Sequence, residues 1–153
     1  MSFECAKEFV TKAGFGDRVL TFEESSATVE LAAAAVGTEP GKIAKSLTFK
    51  VSEEPIMILC AGDKKIDNSK YKQTFHTKAK MLTPDEVVQF TGHAIGGVCP
   101  FGLKKTVSVY LDESLKAYEE VYPACGSGNS AVRLSIAELS SLTGEPQWVD
   151  VCK

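Results

Sequence analysis

The chain is organised around the segment Gly92-His93-Ala94-Ile95-Gly96-Gly97-Val98-Cys99-Pro100-Phe101-Gly102. Four glycines and one proline within eleven residues exclude an ordinary helix or a central strand, because glycine favours positive φ and proline lacks an amide donor. The segment also carries Ile95, Val98 and Phe101, so it is not a flexible polar linker. It is either a rigid loop whose backbone N–H groups face a ligand or a tight connection packed against the core. The segment alone favours neither interpretation.

Length and composition predict one globular domain spanning residues 1–153. Hydrophobic residues make up 44% of the chain and charged residues 24%, as in soluble globular proteins. No apolar run approaches membrane-spanning length, and charged residues near the N-terminus exclude a secretory signal, so we expect a cytoplasmic protein without a membrane partner. Because the net charge is −3, any contact with nucleic acid needs a local basic patch.

The cysteines and histidines limit the chemistry further. The five cysteines are odd in number and no pair has CxxC spacing, which indicates reduced thiols rather than a disulfide framework or a zinc ribbon. The sequence shows no metal-ligand cluster, no Walker loop and no GxGxxG pattern. We therefore expect neither a metal nor a cofactor.

Local patterns predict alternating helices and strands without an internal repeat or linker. Helical spacing and end signals, including capping boxes at Thr83/Glu86 and Ser135/Glu138, predict helices at 2–12, 28–36, 68–75, 83–91 and 135–144. Strand-like composition predicts strands at 18–22, 43–51, 56–61, 106–111, 118–125, 131–134 and, at an edge, 147–151. The strand at 56–61 is predicted to pair antiparallel with the strand at 43–51.

One lysine has an apolar setting on the predicted strand 43–51. Side chains alternate between the two faces of a strand, which places Lys45 between Ile43 and Leu47 on the more apolar face. An ammonium is costly to bury unless it is paired or faces a polar cavity, and this favours a functional role for Lys45. The alternative is a lysine near a strand end whose ammonium reaches water past its apolar stem.

A cysteine–histidine pair offers a different chemistry. His93 and Cys99 flank the Gly96-Gly97 pair, so a cysteine nucleophile with a histidine base is one hypothesis. No orienting carboxylate is suggested, and Cys99 precedes a proline inside an apolar loop. This setting favours a buried, inert thiol. A serine nucleophile is not indicated, because the sequence lacks GxSxG.

Lysines cluster in one part of an otherwise acidic chain. The segment from Asp63 to Lys80 contains only two acidic residues and carries Lys64, Lys65, Lys70, Lys72, Lys78 and Lys80. Lys104 and Lys105 directly follow the glycine loop. Such runs are usually a solvated face, but here they could bind a phosphate backbone beside a pocket.

Two stretches carry a resemblance to a known family. They are Lys42-Ile43-Ala44-Lys45-Ser46-Leu47-Thr48-Phe49-Lys50 and Gly96-Gly97-Val98-Cys99-Pro100-Phe101-Gly102-Leu103-Lys104-Lys105. With the helix at 28–36 and the closing segment 134–139, they span residues 18–142 in the order seen in the YbaK/EbsC family of aminoacyl-tRNA deacylases. Relatives of that family include the editing domain inserted in prolyl-tRNA synthetases.

The resemblance implies a fold and a set of site residues. The fold is a single α/β domain with a mixed, barrel-like sheet flanked by helices. Lys45 matches the family's functional lysine, and the segment from Gly96 to Pro100 matches its GxxxP loop. The catalytic residues implied are Lys45, Gly96 and Gly97. Those expected to bind substrate are Phe22, Ser46, Val98, Pro100, Gly102, Gly126, Ser127 and Gly128. Those expected at the tRNA backbone are Lys64, Lys65, Lys70, Lys72, Lys104 and Lys105.

The resemblance also implies an activity and its partners. The leading hypothesis is a deacylase that hydrolyses mischarged aminoacyl-tRNA, with tRNA-Pro as the expected tRNA and prolyl-tRNA synthetase as a second candidate partner. The alternatives are a non-catalytic module that binds tRNA or a synthetase, and a thiol hydrolase that uses Cys99. Some family members carry an acidic residue or histidine near the position of Ala131, so a different amino-acid specificity is expected here.

Overall fold

A six-stranded mixed sheet is the framework of the protein in a computed structural model that describes residues 2–104 and 106–153. The strands are β1 (Val19–Thr21), β2 (Ile43–Val51), β3 (Glu54–Ala61), β4 (Ser108–Asp112), β5 (Glu120–Pro123), β6 (Ser130–Val132), β7 (Leu134–Ser135) and β8 (Gln147–Val149). The α-helices are α1 (Ser2–Lys12), α2 (Val29–Val36), α3 (Asn68–Phe75), α4 (Pro84–Thr91) and α5 (Ile136–Leu142). Short 3-10 turns lie at Gly16–Arg18, Pro40–Lys42 and Glu113–Ala117.

The strand order of the main sheet is β7-β5-β2-β3-β4-β8, and β1 pairs with β6 in a separate two-stranded sheet. Strands β2 and β3 form an antiparallel hairpin, as predicted. Strand β5 runs parallel to β2, while β4 and β8 extend the other side in parallel. The main sheet curls into a half-barrel. The predicted α/β fold with a mixed, barrel-like sheet and flanking helices is therefore confirmed.

The central hairpin separates two apolar clusters. From Pro55 to Ala61 every residue of β3 is buried, as expected for a strand covered on both faces. Met57 and Leu59 belong to the larger core together with Ala44 of β2. Ile58 and Cys60 belong to the second cluster, which packs around Tyr71 of α3. Lys45 is paired with Cys60 in the ladder and so lies at the end of this second face.

Both predicted capping boxes are present. The hydroxyl of Thr83 accepts from the N–H of Glu86, and the Glu86 carboxylate accepts from the N–H of Thr83; Ser135 and Glu138 repeat the arrangement on α5. The ammonium of Lys50 on β2 also bonds to Glu86 and, together with the cap, lowers the pKa of Glu86 to about 2. Helix α4 is thereby fixed against the sheet before it delivers the chain into the glycine segment.

Three strand predictions need correction. The predicted strand 131–134 is two strands, because β6 pairs with β1 whereas β7 pairs with β5, and the chain crosses between the two sheets at Arg133. The predicted strand 118–125 is only Glu120–Pro123, since a 3-10 turn occupies the preceding residues up to Ala117. The predicted strand 106–111 is shifted to Ser108–Asp112. Each boundary depends on pairing partners that are distant in sequence.

No helix in the part of the chain that the structure describes combines the length and apolar character needed to cross a membrane.

Candidate functional site

A cavity of about 120 Å³ lies between the N-terminal end of α2, the start of β2 and the glycine segment. Its wall is largely apolar and is formed by Ser26, Ala27, Thr28, Val29, Ala32, Ile43, Ala44, Lys45, Ser46, Gly96, Val98, Tyr122, Ala124, Ser130 and Ala131. No carboxylate is among these lining residues. The cavity therefore suits a small group that is neutral or carries negative charge.

Four of the residues expected at the site meet in this wall: Lys45, Ser46, Gly96 and Val98. Ala131, where the family resemblance predicted a departure in specificity, also lines the cavity. The other residues expected to bind substrate or act in catalysis lie outside the wall: Phe22, Gly97, Pro100, Gly102, Gly126, Ser127 and Gly128. The structure thus brings β2 and the glycine segment together, as the resemblance implies. Fewer of the expected residues line the cavity than the resemblance implies.

Gly97 connects two loops by close backbone packing. A Cβ added to Gly97 would lie 2.6 Å from the amide nitrogen of Ser127 and 2.7 Å from the carbonyl carbon of Gly126. Its own N–H donates to the carbonyl of Ala94 at 2.9 Å. Gly97 is therefore packed tightly against the Gly126-Ser127 turn, which occupies the space where a side chain would lie.

Its neighbours Gly96 and Val98 fit the other interpretation of this segment, a loop whose backbone N–H groups face a ligand. Gly96 has a φ of 99°, in the left-handed region that favours glycine, and both residues line the cavity. Within residues 2–104 and 106–153, no hydrogen bond engages the N–H of Gly96 or of Val98. These two amides remain able to donate to a ligand.

Lys45 is half-buried and is one of the residues that line the cavity. Its ammonium donates to the carbonyl of Gly62 at 3.4 Å and to the carbonyl of Lys64. In the described residues no hydrogen bond joins this ammonium to the Gly96-Gly97-Val98 backbone. Because an ammonium has three donors, one remains after the two carbonyls are satisfied.

The turn between β5 and β6 fixes the chain segment that contains Ser26, one of the residues that line the cavity. The carbonyl of Gly128 accepts from the N–H of Ser26 at 2.6 Å, and Asn129 bonds to both the N–H and the carbonyl of Phe22. Gly126 has a φ of 81°, and a Cβ there would lie 2.5 Å from the carbonyl oxygen of Ser2. Gly128 and Asn129 therefore position the segment that contains Phe22 and Ser26 rather than line the cavity.

Cys99 and His93 do come together, but away from the cavity. The sulfur of Cys99 lies 3.6 Å from Nε2 of His93, and both side chains are fully buried. Nε2 also lies 2.7 Å from the carbonyl of Phe101 and Nδ1 lies 2.5 Å from the hydroxyl of Ser2, so protein atoms occupy both ring nitrogens. Burial raises the pKa of Cys99 to about 12 and lowers the pKa of His93. A neutral, inaccessible thiol is a poor nucleophile.

We expect Cys99→Ala to keep single-turnover deacylation within a few-fold of the parent protein, because the thiol has a packing role. The measurement is hydrolysis of a mischarged tRNA at equal concentrations of folded protein. A loss of about a thousandfold with the fold intact would instead support a covalent nucleophile.

The predicted tRNA-contacting lysines occupy three different settings. Lys64 and Lys65 are exposed directly after β3, next to the carbonyl that accepts from Lys45. Lys72 is exposed on α3, where it lines a separate surface cavity together with Lys78. Lys70 is already paired with Asp150 at 3.1 Å and with the carbonyl of Cys152 at 2.9 Å.

The two lysines after the glycine segment are a separate case. Lys104 is exposed and lies against α1 and α4 in a surface depression that also contains Cys5, Val88 and Gly92. It is not part of the wall of the candidate site. Lys105 lies outside the described residues.

Sequence reasoning missed the residues on the α2 side of the cavity. Ser26 and Val29 reach the wall because the turn at Gly128 holds the segment before α2 in place. Tyr122 and Ala124 reach it because β5 pairs with the start of β2. The only local signal was the N-cap at Thr28, which fixes where α2 begins but not what it faces.

Comparison with known proteins identifies the family of this chain. The family model described as an aminoacyl-tRNA editing domain matches residues 23–142, a range that contains every residue of the cavity wall. The chain therefore belongs to the aminoacyl-tRNA editing domain family.

Individual relatives span almost the whole chain. It is 51% identical to the uncharacterized protein YwhH of Bacillus subtilis, over 100% of this chain and 98% of the relative. It is 27% identical to EbsC of Enterococcus faecalis, named as a candidate Cys-tRNA(Pro)/Cys-tRNA(Cys) deacylase, over 86% of this chain and 82% of the relative. A solved structure of a candidate trans-editing enzyme for prolyl-tRNA synthetase superposes with a TM-score of 0.90 at 35% identity, covering 99% of this chain and 97% of the other.

Proposed function

We propose that this protein hydrolyses the ester bond of a mischarged aminoacyl-tRNA, as a separate protein and without a covalent intermediate. The observation that carries the proposal is a cavity lined by Lys45, Gly96 and Val98, in which the amides of Gly96 and Val98 have no hydrogen-bond acceptor among the described residues. Membership of the editing-domain family supports aminoacyl-tRNA as the substrate class, and the deacylase name of one relative supports hydrolysis.

The glycine segment would act on the developing oxyanion. An aminoacyl ester is already activated, so its hydrolysis needs less assistance than that of an amide. Backbone N–H groups aimed at the carbonyl oxygen stabilise the tetrahedral intermediate by roughly 3–4 kcal/mol for a well-placed donor. The amides of Gly96 and Val98 fit this role, whereas the N–H of Gly97 is bonded to Ala94 and instead fixes the shape of the loop.

Lys45 would contribute positive charge to the candidate site. Two of its three donors are held by the carbonyls of Gly62 and Lys64, and the third is free to reach the ester carbonyl or the terminal phosphate. The neighbouring hydroxyl of the substrate's terminal ribose would help to activate water. This assignment is consistent with the absence of a carboxylate or histidine among the described residues that line the cavity.

The direct test is single-turnover hydrolysis of a panel of mischarged tRNA-Pro substrates by the purified protein. Hydrolysis above the uncatalysed rate supports the proposal. The second candidate function is a binding module of the same fold. It predicts slower rather than faster hydrolysis when protein is added, because a module that only binds would protect the ester. Slower loss of the amino acid in the presence of protein would therefore overturn the deacylase assignment.

We further infer that the whole chain, 1–153, works as one editing domain on tRNA-Pro in the cytoplasm, in trans to prolyl-tRNA synthetase. The support is the match of almost the full chain to a structure described as a candidate trans-editing enzyme for that synthetase. Hydrolysis of the same mischarged amino acid on tRNA-Pro and on an unrelated tRNA tests the tRNA preference.

The exposed lysines Lys64 and Lys65, after β3, and Lys72, on α3, are expected to hold the tRNA backbone. Replacing Lys64, Lys65 and Lys72 by Gln should weaken tRNA binding and flatten its salt dependence, with little effect on an aminoacyl-adenosine substrate that lacks the backbone. Lys70 is left unchanged in this test because its ammonium already bonds Asp150 and Cys152. An unchanged salt slope would assign these lysines to a solvated face.

A further inference from the structure

Two serines that line the cavity have a buried hydroxyl without a partner among the described residues. Oγ of Ser26 and Oγ of Ser46 are shielded from solvent, and neither has a hydrogen-bond partner among the described residues. Ser26 precedes α2 and is only 8% exposed, whereas Ser46 lies on β2 next to Lys45. They come from different elements and contribute to the same wall.

The other serine and threonine hydroxyls of this wall are already engaged. Oγ of Ser130 lies 2.6 Å from Oγ of Ser127, and the hydroxyl of Thr28 caps α2 by accepting from Leu31. The remaining side chains around Ser26 and Ser46 are largely apolar, among them Val29, Ile43 and Val98. Among the serines and threonines of this wall, Ser26 and Ser46 are therefore the two whose hydroxyls are unpaired in the described residues.

An unpaired buried hydroxyl is unfavourable to the empty protein, and a ligand that supplies the missing hydrogen bond removes that penalty. A cavity of about 120 Å³ admits only a small ligand group. The side chain of an amino acid with a hydroxyl fits both the size and the bonding, since one hydroxyl can donate to one serine and accept from the other.

We propose that Ser26 and Ser46 are specificity-determining residues that bind the side-chain hydroxyl of the esterified amino acid, so that serine is removed faster than alanine. The inference rests on the proposed deacylase function. The α-ammonium of the amino acid is a weaker occupant, because the wall has no carboxylate and includes the cationic Lys45.

The physical basis is the asymmetry of hydrogen-bonding sites. A site built to bond a substrate hydroxyl rejects the analogue without it, because its own polar groups then stay unpaired. Alanine differs from serine only by that hydroxyl, so the two amino acids on one tRNA form a matched pair of substrates.

The test compares single-turnover hydrolysis of one tRNA acylated with serine or with alanine. The proteins are the parent, Ser26→Ala, Ser46→Ala and the double variant, with Ser141→Ala, exposed on α5 and absent from the cavity wall, as control. The parent should favour serine. Each single variant should lower the ratio of the rate on serine to the rate on alanine by about tenfold to a hundredfold.

Thermal unfolding separates specificity from folding. Removing an unpartnered buried hydroxyl should leave the melting temperature of Ser46→Ala equal to that of the parent or above it. A folded variant with an unchanged serine-to-alanine ratio would overturn the inference. Equal losses on both amino acids would also overturn it, and would assign the two hydroxyls to the α-ammonium or to a general binding role.

The two failures are distinguishable. If the parent hydrolyses alanine but not serine, the specificity inference fails while the proposed deacylase function stands. If the parent hydrolyses neither of these two and no other member of the mischarged panel, the proposed function itself fails.

Discussion

Lys45→Ala is expected to reduce single-turnover deacylation to near the uncatalysed rate, a loss of about 100- to 1,000-fold, while the protein stays folded. Lys45 is the only basic residue among the described residues that line the cavity. Removing it takes away the charge available to the ester carbonyl or the terminal phosphate. The measurement is the rate with saturating protein, so that weaker binding does not hide the chemical effect.

The effect on stability should be small. The carbonyls of Gly62 and Lys64 that Lys45 bonds lie in a half-buried to exposed turn after β3, where water can replace the ammonium. Circular dichroism should therefore match the parent. Lys45→Met keeps the aliphatic stem without the charge, so the same loss in that variant would assign the effect to charge rather than to packing.

A matched control is Lys12→Ala. Lys12 is exposed at the end of α1 and forms a surface ion pair with Glu8, a kind of pair that contributes little to stability. The Lys12→Ala substitution removes one positive charge from the chain and should leave the rate of deacylation unchanged. Full activity in a folded Lys45→Ala protein would remove the central claim of the proposed function.

Much of the fold was predictable because its signals are local. Alternation along β2 placed Lys45 on its face, and the pairs Thr83/Glu86 and Ser135/Glu138 marked the starts of α4 and α5. In each case the residues that carry the signal lie within a few positions of one another. Capping hydrogen bonds and strand alternation involve residues close together in sequence, so they can be predicted without knowing the rest of the fold.

The rest of the site depends on contacts between segments far apart in sequence. Ser26 reaches the cavity because its N–H bonds the carbonyl of Gly128, about one hundred residues later. The division of the predicted strand 131–134 into β6 and β7 depends on β1 and β5, which no local pattern near Arg133 reveals. The two roles of the glycine segment could not be separated for the same reason, since the partner of Gly97 is the turn at Ser127.

Gly97→Ala is the second change with a large expected effect. The added methyl would lie 2.6–2.8 Å from backbone atoms of Gly126 and Ser127, which cannot rotate away as a flexible side chain could. Gly97 does not have a positive φ, so the conflict is one of space rather than of backbone strain. Either the glycine segment or the opposite turn must move.

Both movements reach the cavity. A shift of the glycine segment displaces the amides of Gly96 and Val98, and a shift of the turn moves Gly128 and with it Ser26. A misplacement of about 1 Å in catalytic groups can reduce the rate about a hundredfold. We expect a loss of this size in single-turnover deacylation, together with a lower melting temperature.

The control variant must lose stability without a change at the candidate site, and Gly144→Ala is such a variant. Gly144 follows α5 with a φ of 83°, and a Cβ there would meet no atom within 4 Å. Gly144→Ala should cost about 1–2 kcal/mol through left-handed backbone strain alone. It should keep the parental rate of deacylation at a temperature where both variants are folded. If Gly97→Ala also kept that rate, the close packing of the two loops would have no part in forming the site.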